Sequence, residues 1–448
     1  MTSTFDKPQI TTAPESEQAF NWRNCWYPVT FSQDLPNNRP YGFSLYDEPL
    51  VLFRNEQGEL VCLEDLCPHR AAKLSDGQVI DGKIECLYHG WQFGNGGECL
   101  RIPQLAKDAK IPANSCVKSY PVVESQGMVW IWAGASQDAS EEMIPTLADL
   151  DKPEFVRADF MLDLPYDRTY LIENLTDPAH VPISHHGTRG GGNRNNAEPL
   201  EIEILQNSIQ GIQARYRGMI SARPNWGKIS FVAPNLVLFS STIPDKGWSF
   251  GLALYSIPLG KNRCRLLSRG YRNFLTWGVK LRPRWLDHLN TNKILEQDLP
   301  LIVGQQAQIA RIGKSLQELY LPLKTSDLLV VEYRKWLDRF GSSLPYYQGY
   351  ATAKVAENNV ESHSQLATRL ARHTQICSSC NRAYRVSKQV RYISIGLAIA
   401  LFTLAVLVDD SGIEIGAVSI ALLAVIIAAS AQMLKTRFEV SYSRFPKN

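Results

Sequence analysis

The sequence predicts an α+β protein in three structured parts: a small all-β N-terminal domain, a second domain of antiparallel sheet plus helices, and a two-helix transmembrane hairpin at the C-terminus. Three observations carry this. Short β-rich runs punctuated by Gly, Asn and Pro fill the first third of the chain, strand-like and helix-like stretches mix through the middle, and two uncharged apolar runs stand near the end. The 448 residues suffice for roughly three folding units at about 150 residues each. With 44% hydrophobic and 20% charged residues, neither a disordered polyelectrolyte nor a collagen-like repeat fits. A net charge of 47 − 44 = +3, without a block of like charges, gives no sign of a phosphate-tracking surface, so nucleic acid is not an expected partner. Nine cysteines, an odd number over a long chain, argue against a secreted disulfide framework and leave metal binding or thiol redox chemistry.

Residues 1–20 are polar and read as a flexible arm, with no signal-peptide core and with acids (Asp6, Glu15, Glu17) unsuited to a transit peptide. From 21 to 134, the runs PLVLFRN, ELVCLED, KIECLYHGWQF and GMVWIWA predict an antiparallel sheet domain. Residues 135–160 read as a linker. Over 161–370, LVLFSSTI, GLALYSI and CRLLSRGYR predict strands, and WLDHLNTNKILEQDLPLIVGQQAQIARI predicts a helix. A segment at 371–390 carries Cys377-Ser378-Ser379-Cys380, and 391–436 holds the apolar runs 392–408 and 415–434, each near the ~17–25 residues that cross a bilayer. Lys388, Arg391, Lys435 and Arg437 flank the runs, so the positive-inside rule puts both ends on the cytoplasm-like side and the acidic turn at 409–414 across the membrane; a re-entrant or interfacial hairpin is the alternative. Residues 437–448 form a tail.

Cys67-Pro68-His69 and Cys86-Leu87-Tyr88-His89 make a C-x-H…C-x-x-H pair, each loop supplying one thiolate and one imidazole. A [2Fe–2S] cluster with two Cys on one iron and two His on the other fits this division, which is the Rieske signature. Tetrahedral zinc also accepts Cys2His2, but common zinc spacings pair Cys with Cys and His with His. Pro68 is expected to stiffen its loop and Gly90 to let the backbone approach the cluster; Tyr88 and Trp91 are read as shielding or hydrogen-bonding the cluster, with plain core aromatics as the alternative.

Downstream, Asp177-Pro178 predicts a helix start, with Asp177 as N-cap and His180 one turn on. His185 would point about 140° away from His180 on a straight helix, so Pro182 is expected to distort the segment until two imidazoles converge on one ion. A carboxylate would then complete a 2-His-1-carboxylate triad with open positions for O2. Asp298, an acid among apolar residues on the predicted helix, is the preferred third ligand; Glu296 is the alternative, and a solvated helix face the plain reading.

These stretches, together with NWRNCWYPV, VVEYRKWLDRFG, HTQICSSC and the apolar hairpin, resemble the Rieske non-haem iron oxygenases of the pheophorbide a oxygenase branch, which includes protochlorophyllide a oxygenase and a Rieske component of the chloroplast translocon. The resemblance implies that Cys67, His69, Cys86 and His89 hold the cluster, that His180, His185 and Asp298 hold a mononuclear Fe(II), and that Asp177 links a cluster histidine of a neighbouring subunit to an iron-bound histidine in a homotrimer. It implies electrons from ferredoxin, a hydrophobic tetrapyrrole substrate and a thioredoxin-sensitive dithiol at Cys377 and Cys380. A CxxC is also half a zinc site, for which His373 and His363 are the nearby extra ligands. Cys25, Cys62, Cys99, Cys116 and Cys264 read as small apolar fillers. The polar start favours a cyanobacterial membrane over a plastid import precursor. Two rivals stay open: a redox carrier that no longer oxygenates, and an oxygenase of sterols or other lipids.

Overall fold

The computed structural model describes residues 19–188, 191–221, 226–353, 356 and 366–443. Most of the predicted arm and the end of the tail therefore lie outside the described residues, as does His363. Two units are distinguished: residues 1–281 with 299–362, and residues 282–298 with 363–448.

In the first unit the N-terminal residues form three antiparallel sheets. A three-stranded one pairs Trp26–Phe31 and Val122–Ser125 with Met128–Trp132, whose side chains are all buried, so the aromatic run GMVWIWA is core rather than surface. A four-stranded sheet takes Tyr41–Leu45, Glu48–Arg54, Leu60–Glu64 and Ser119–Tyr120 in that order. Another takes Gln78–Ile80, Lys83–Glu85, Gln92–Phe93 and Cys99–Arg101, and its connections carry the second Cys-His loop.

A seven-stranded antiparallel sheet follows, ordered Val156–Leu164, Arg263–Arg272, Trp248–Gly260, Leu236–Ile243, Gly227–Val232, Gly211–Gly218, Leu200–Ser208. Its first strand starts inside the segment read as a linker. The cause is paired burial: Asp159 and Asp163 stand directly opposite Arg269 and Arg265 and receive them as bidentate ion pairs at 2.6–3.0 Å. A charge-rich strand such as VRADFMLDL hides its apolar partners from a pattern search, yet each buried carboxylate is neutralised across the ladder. Both arginines also donate to the N-terminal three-stranded sheet, Arg265 to Val29 O on its first strand and Arg269 to Gln126 O in the turn before Met128–Trp132, fastening the two sheet systems together.

Eight α-helices are found among the described residues: α1 Arg168–Leu175, α2 Val181–Ser184, α3 Thr276–Leu281, α4 Arg284–Ile312, α5 Leu316–Leu319, α6 Leu328–Phe340, α7 Ser378–Leu407 and α8 Ser411–Glu439. Helix α4 matches its predicted span and runs through both units; Pro300 inside it removes the hydrogen bond to the Glu296 carbonyl without ending it. In the second unit, α7 begins at the CxxC and continues through the apolar run, so the predicted boundary at 390/391 falls in mid-helix. Both α7 and α8 are long and apolar enough to cross a membrane. Small residues bury along one stripe of α8 (Ala417, Ala421, Ala424, Ala428, Ala431) and on α7 (Ala398, Ala405), the pattern by which apolar helices approach closely in lipid.

Candidate metal centres

The two Cys-His loops close in the same way. Cys67 N donates to Ala72 O and Ala71 N to Cys67 O, while Cys86 N donates to Trp91 O and Gly90 N to Cys86 O, at 2.8–2.9 Å. Each loop thus needs a left-handed residue four positions after its cysteine: Ala71 has φ +56° and Gly90 has φ +74°. Both cysteines are buried in one apolar cluster with Val51, Phe53, Leu63, Ile84 and Phe93. The His69 and His89 rings sit 4.4 Å apart at 71°, and the buried Nδ1 atom of each has no protein partner. Two thiols on one side and two orphaned imidazole nitrogens on the other fit a binuclear cluster with S,S and N,N ends. Burial pushes the Cys67 thiol up to about 11, so a cation is what makes the thiolate the resting form. Trp91 stacks on His69 at 4.7 Å and 6°, as a shield would. Tyr88 lies against His89 but is 61% exposed, so it covers the ring only in part.

At the second constellation no helix starts at Pro178. Asp177 Oδ1 instead accepts from Ala179 N at 2.8 Å, closing an Asx turn between α1 and the four-residue α2. His180 precedes α2 and His185 ends it with φ −104°, ψ 21°. His180 keeps helical angles (φ −70°, ψ −29°) and the chain leaves helical geometry at His185, so the two rings, five residues apart, come to 5.4 Å instead of staying about 140° apart around one axis. Asp177 Oδ2 is 3.5 Å from His180 Nδ1. His180, His185 and Asp298 each offer a ligand atom, all within 4.8 Å of one another.

The segment is held by residues that sequence reasoning passed over. Glu173 on α1 accepts from Arg334 Nε at 2.6 Å, Tyr320 Oη at 2.9 Å and Gln305 Nε2 at 3.1 Å, tying α1 to α4 and α6. A Cβ on Gly191 would sit 2.6 Å from His185 Cβ, and one on Gly192 would strike Pro182, so these glycines let the following loop fold back over the histidines. The GGG run was the available signal.

Cys377 and Cys380 meet His288 and His373 in a buried group whose ligand atoms all lie within 4.8 Å of one another. His373 was among the extra ligands the sequence suggested; His288, 89 residues before Cys377, was not. Its trace in the sequence is a polar stripe on α4, His288, Asn292 and Glu296 at successive i+4 positions, every one buried. Among the presumed fillers, Cys62, Cys99 and Cys264 are buried, whereas Cys116 is exposed and packs no core.

An all-β domain with paired Cys-His loops, followed by an antiparallel sheet with a His-His-Asp group, defines the class of two-centre iron oxygenases. Residues 25–121 match the family model of the Rieske [2Fe-2S] domain, and residues 231–315 that of pheophorbide a oxygenase. The chain is 35% identical to Protein TIC 55 of Pisum sativum over 90% of its own length and 79% of that protein's. It is 31% identical to pheophorbide a oxygenase of Arabidopsis thaliana, over 94% and 82%. The crystal structure of dicamba monooxygenase shares the fold, with a TM-score of 0.60 and 23% identity over 71% of this chain and 97% of that one. The chain belongs to the pheophorbide a oxygenase branch of the Rieske oxygenases, and its cofactors are a [2Fe–2S] Rieske cluster and a mononuclear non-haem iron.

Proposed function

We propose that the chain oxygenates a hydrophobic substrate of the chlorophyll-type tetrapyrrole class, with electrons from a ferredoxin. The observation that carries the reading is the convergence of His180, His185 and Asp298 in a chain that also has a Rieske domain. In this reading Cys67 and Cys86 ligate one cluster iron and His69 and His89 the other, while His180, His185 and Asp298 hold the mononuclear iron. That iron, with three protein ligands and open positions, supplies O2 activation. Asp177 fixes the His180 ring through Nδ1, and Glu173 fixes the helix on which this segment hangs.

Exposed Leu87 and Tyr88 beside the cluster loop suit a subunit contact, and a homotrimer would bring one subunit's cluster to the next subunit's Asp177. The apolar helices α7 and α8 would anchor the chain where a lipid-soluble substrate collects, with the basic flanks of both on one side of the membrane. The resemblance also suggested a thioredoxin-sensitive dithiol at Cys377 and Cys380; the enclosure of both sulfurs favours the different role argued below.

The test is incubation of full-length protein, ferredoxin and its reductase with a tetrapyrrole panel under labelled O2. Label in a product supports the reading. A cluster that reduces and reoxidises while no tetrapyrrole gains label rejects it and leaves a redox carrier or another lipid substrate.

A further inference from the structure

The second unit contains a four-residue group that the oxygenase chemistry does not use. His288 lies on the first half of α4, His373 in the π-helical turn Leu370–Thr374, Cys377 at the N-cap of α7 and Cys380 in its first turn. The separations are 3.4 Å from Cys377 Sγ to His288 Nδ1, 3.5 Å from Cys380 Sγ to the same nitrogen, and 3.2 Å from Cys380 Sγ to His373 Nε2. With Zn–S of about 2.3 Å and Zn–N of about 2.0–2.1 Å, a tetrahedron places sulfur and nitrogen roughly 3.5–3.6 Å apart. The side chains already stand near those edges.

We infer that Cys377, Cys380, His288 and His373 form a structural zinc site, a third metal centre separate from the two iron centres. Donor chemistry selects the ion: two thiolates and two imidazoles in a closed set, with no carboxylate among them, suit tetrahedral zinc and leave no open position for catalysis. Charge balance supports it. Binding Zn2+ releases two thiol protons to solvent, and the resulting Zn(thiolate)2(imidazole)2 unit is neutral, which a pocket walled by Trp285, Leu289, Tyr384, Leu434 and Phe438 accommodates.

Burial argues against a dithiol switch at the same residues. Cys377 is 1% and Cys380 0% exposed, so a disulfide reductase would have no sulfur to attack without opening the pocket. A disulfide within the CxxC would also leave two imidazoles enclosed without the ion they converge on. What the zinc site accomplishes is mechanical: it clamps the start of α7 and the 370–374 turn to α4, about 15 Å along that helix from Asp298.

The experiment uses the full-length chain purified in detergent. Elemental analysis is expected to find about one zinc per chain beside the iron. His288→Ala and Cys380→Ser should each lose it while the Rieske absorption and EPR signals persist. Because either variant can fold poorly, the wild-type chain is also alkylated natively: both thiols should stay protected until a strong chelator is added, and then label together. Cells grown with cobalt should give a protein with tetrahedral thiolate-to-cobalt absorption. Zinc that is absent, zinc that survives both substitutions, or a Cys377–Cys380 disulfide in the isolated protein that a reductant opens without metal release would each overturn the assignment.

Discussion

Glu296 and Asp298 lie two positions apart on α4, both buried, and serve opposite purposes. Glu296 accepts from Arg369 Nε at 3.0 Å and Arg372 Nη2 at 3.1 Å, while Asp298 offers a carboxylate oxygen to the His180 and His185 group. Residues two apart on a helix point about 200° from each other, so one helix can present one acid to a guanidinium pair and the next to a metal.

Replacing these acids should therefore give contrasting results. Asp298→Ala is expected to remove turnover and about one iron per chain while leaving the Rieske EPR signal unchanged. Glu296→Gln should keep the iron and lose stability, by roughly 3–5 kcal/mol, because two arginines remain buried without their carboxylate. Iron analysis together with thermal denaturation separates the two; iron loss from Glu296→Gln alone would make Glu296 the ligand.

Asp177 touches His180 without belonging to the three-ligand group. Asp177→Asn keeps the shape but weakens acceptance from the ring, and partners of this kind typically govern 10–100-fold in metal affinity or activity. The expected outcome is full cluster content with turnover reduced by about that factor. Single-turnover kinetics with a pre-reduced cluster should show the loss in the step that consumes the cluster's electron; unchanged kinetics would make Asp177 a turn residue only.

Gly191 covers His185 with no room for a side chain. Gly191→Ala must push either the loop or the imidazole aside, since neither the His185 carbonyl nor its Cβ is a flexible tip. The variant should bind the mononuclear iron poorly and retain a normal cluster, which metal titration after chelation measures.

Much of this was legible in the chain, and what was missed has physical causes. Helix α4 was legible as one long helix-like stretch over residues 285–312, and the Cys-His loops follow from ligand types at a fixed spacing. The helix predicted at Asp177-Pro178 failed because Asp caps an Asx turn as readily as a helix, and four residues of α2 are too few to show a period. The strand at Val156–Leu164 escaped because its buried face carries Asp159 and Asp163, which pair with arginines across the ladder, and those at Leu200–Ser208 and Gly211–Gly218 escaped because half-exposed Glu201–Arg217 and Glu203–Arg215 pairs blur the apolar alternation. His288 left only the polar i+4 stripe of α4 as a trace, which does not say what it meets; the tertiary fold alone brings it to Cys377.

The matched loops make a reciprocal prediction. Gly90 and Ala71 occupy equivalent left-handed positions, but only Ala71 carries the Cβ that such a backbone disfavours by roughly 1–2 kcal/mol. Gly90→Ala should weaken cluster retention by about that amount, slightly more because its Cβ would lie 3.0 Å from Pro103 Cγ. Ala71→Gly should relieve strain and slow cluster loss. Following the decay of the Rieske absorption in denaturant tests both; equal effects of the same sign would reject the loop equivalence.

The alanine stripe of α8 sets how closely the two apolar helices can approach. Ala421 is 0% and Ala424 2% exposed, whereas Leu422 is 54% and Leu423 55% exposed on the same helix. A leucine at position 421 has nowhere to go without separating α8 from α7, and overpacking of this kind typically costs about 1–3 kcal/mol. Ala421→Leu should thus lower the melting temperature of the helical signal in detergent, while Leu422→Ala, on the face turned outward, should leave it nearly unchanged. Association in lipid depends on close backbone approach rather than on hiding apolar area, so the smaller side chain is the one the hairpin cannot lose. Identical melting of the two variants would mean that α7 and α8 do not pack through this stripe.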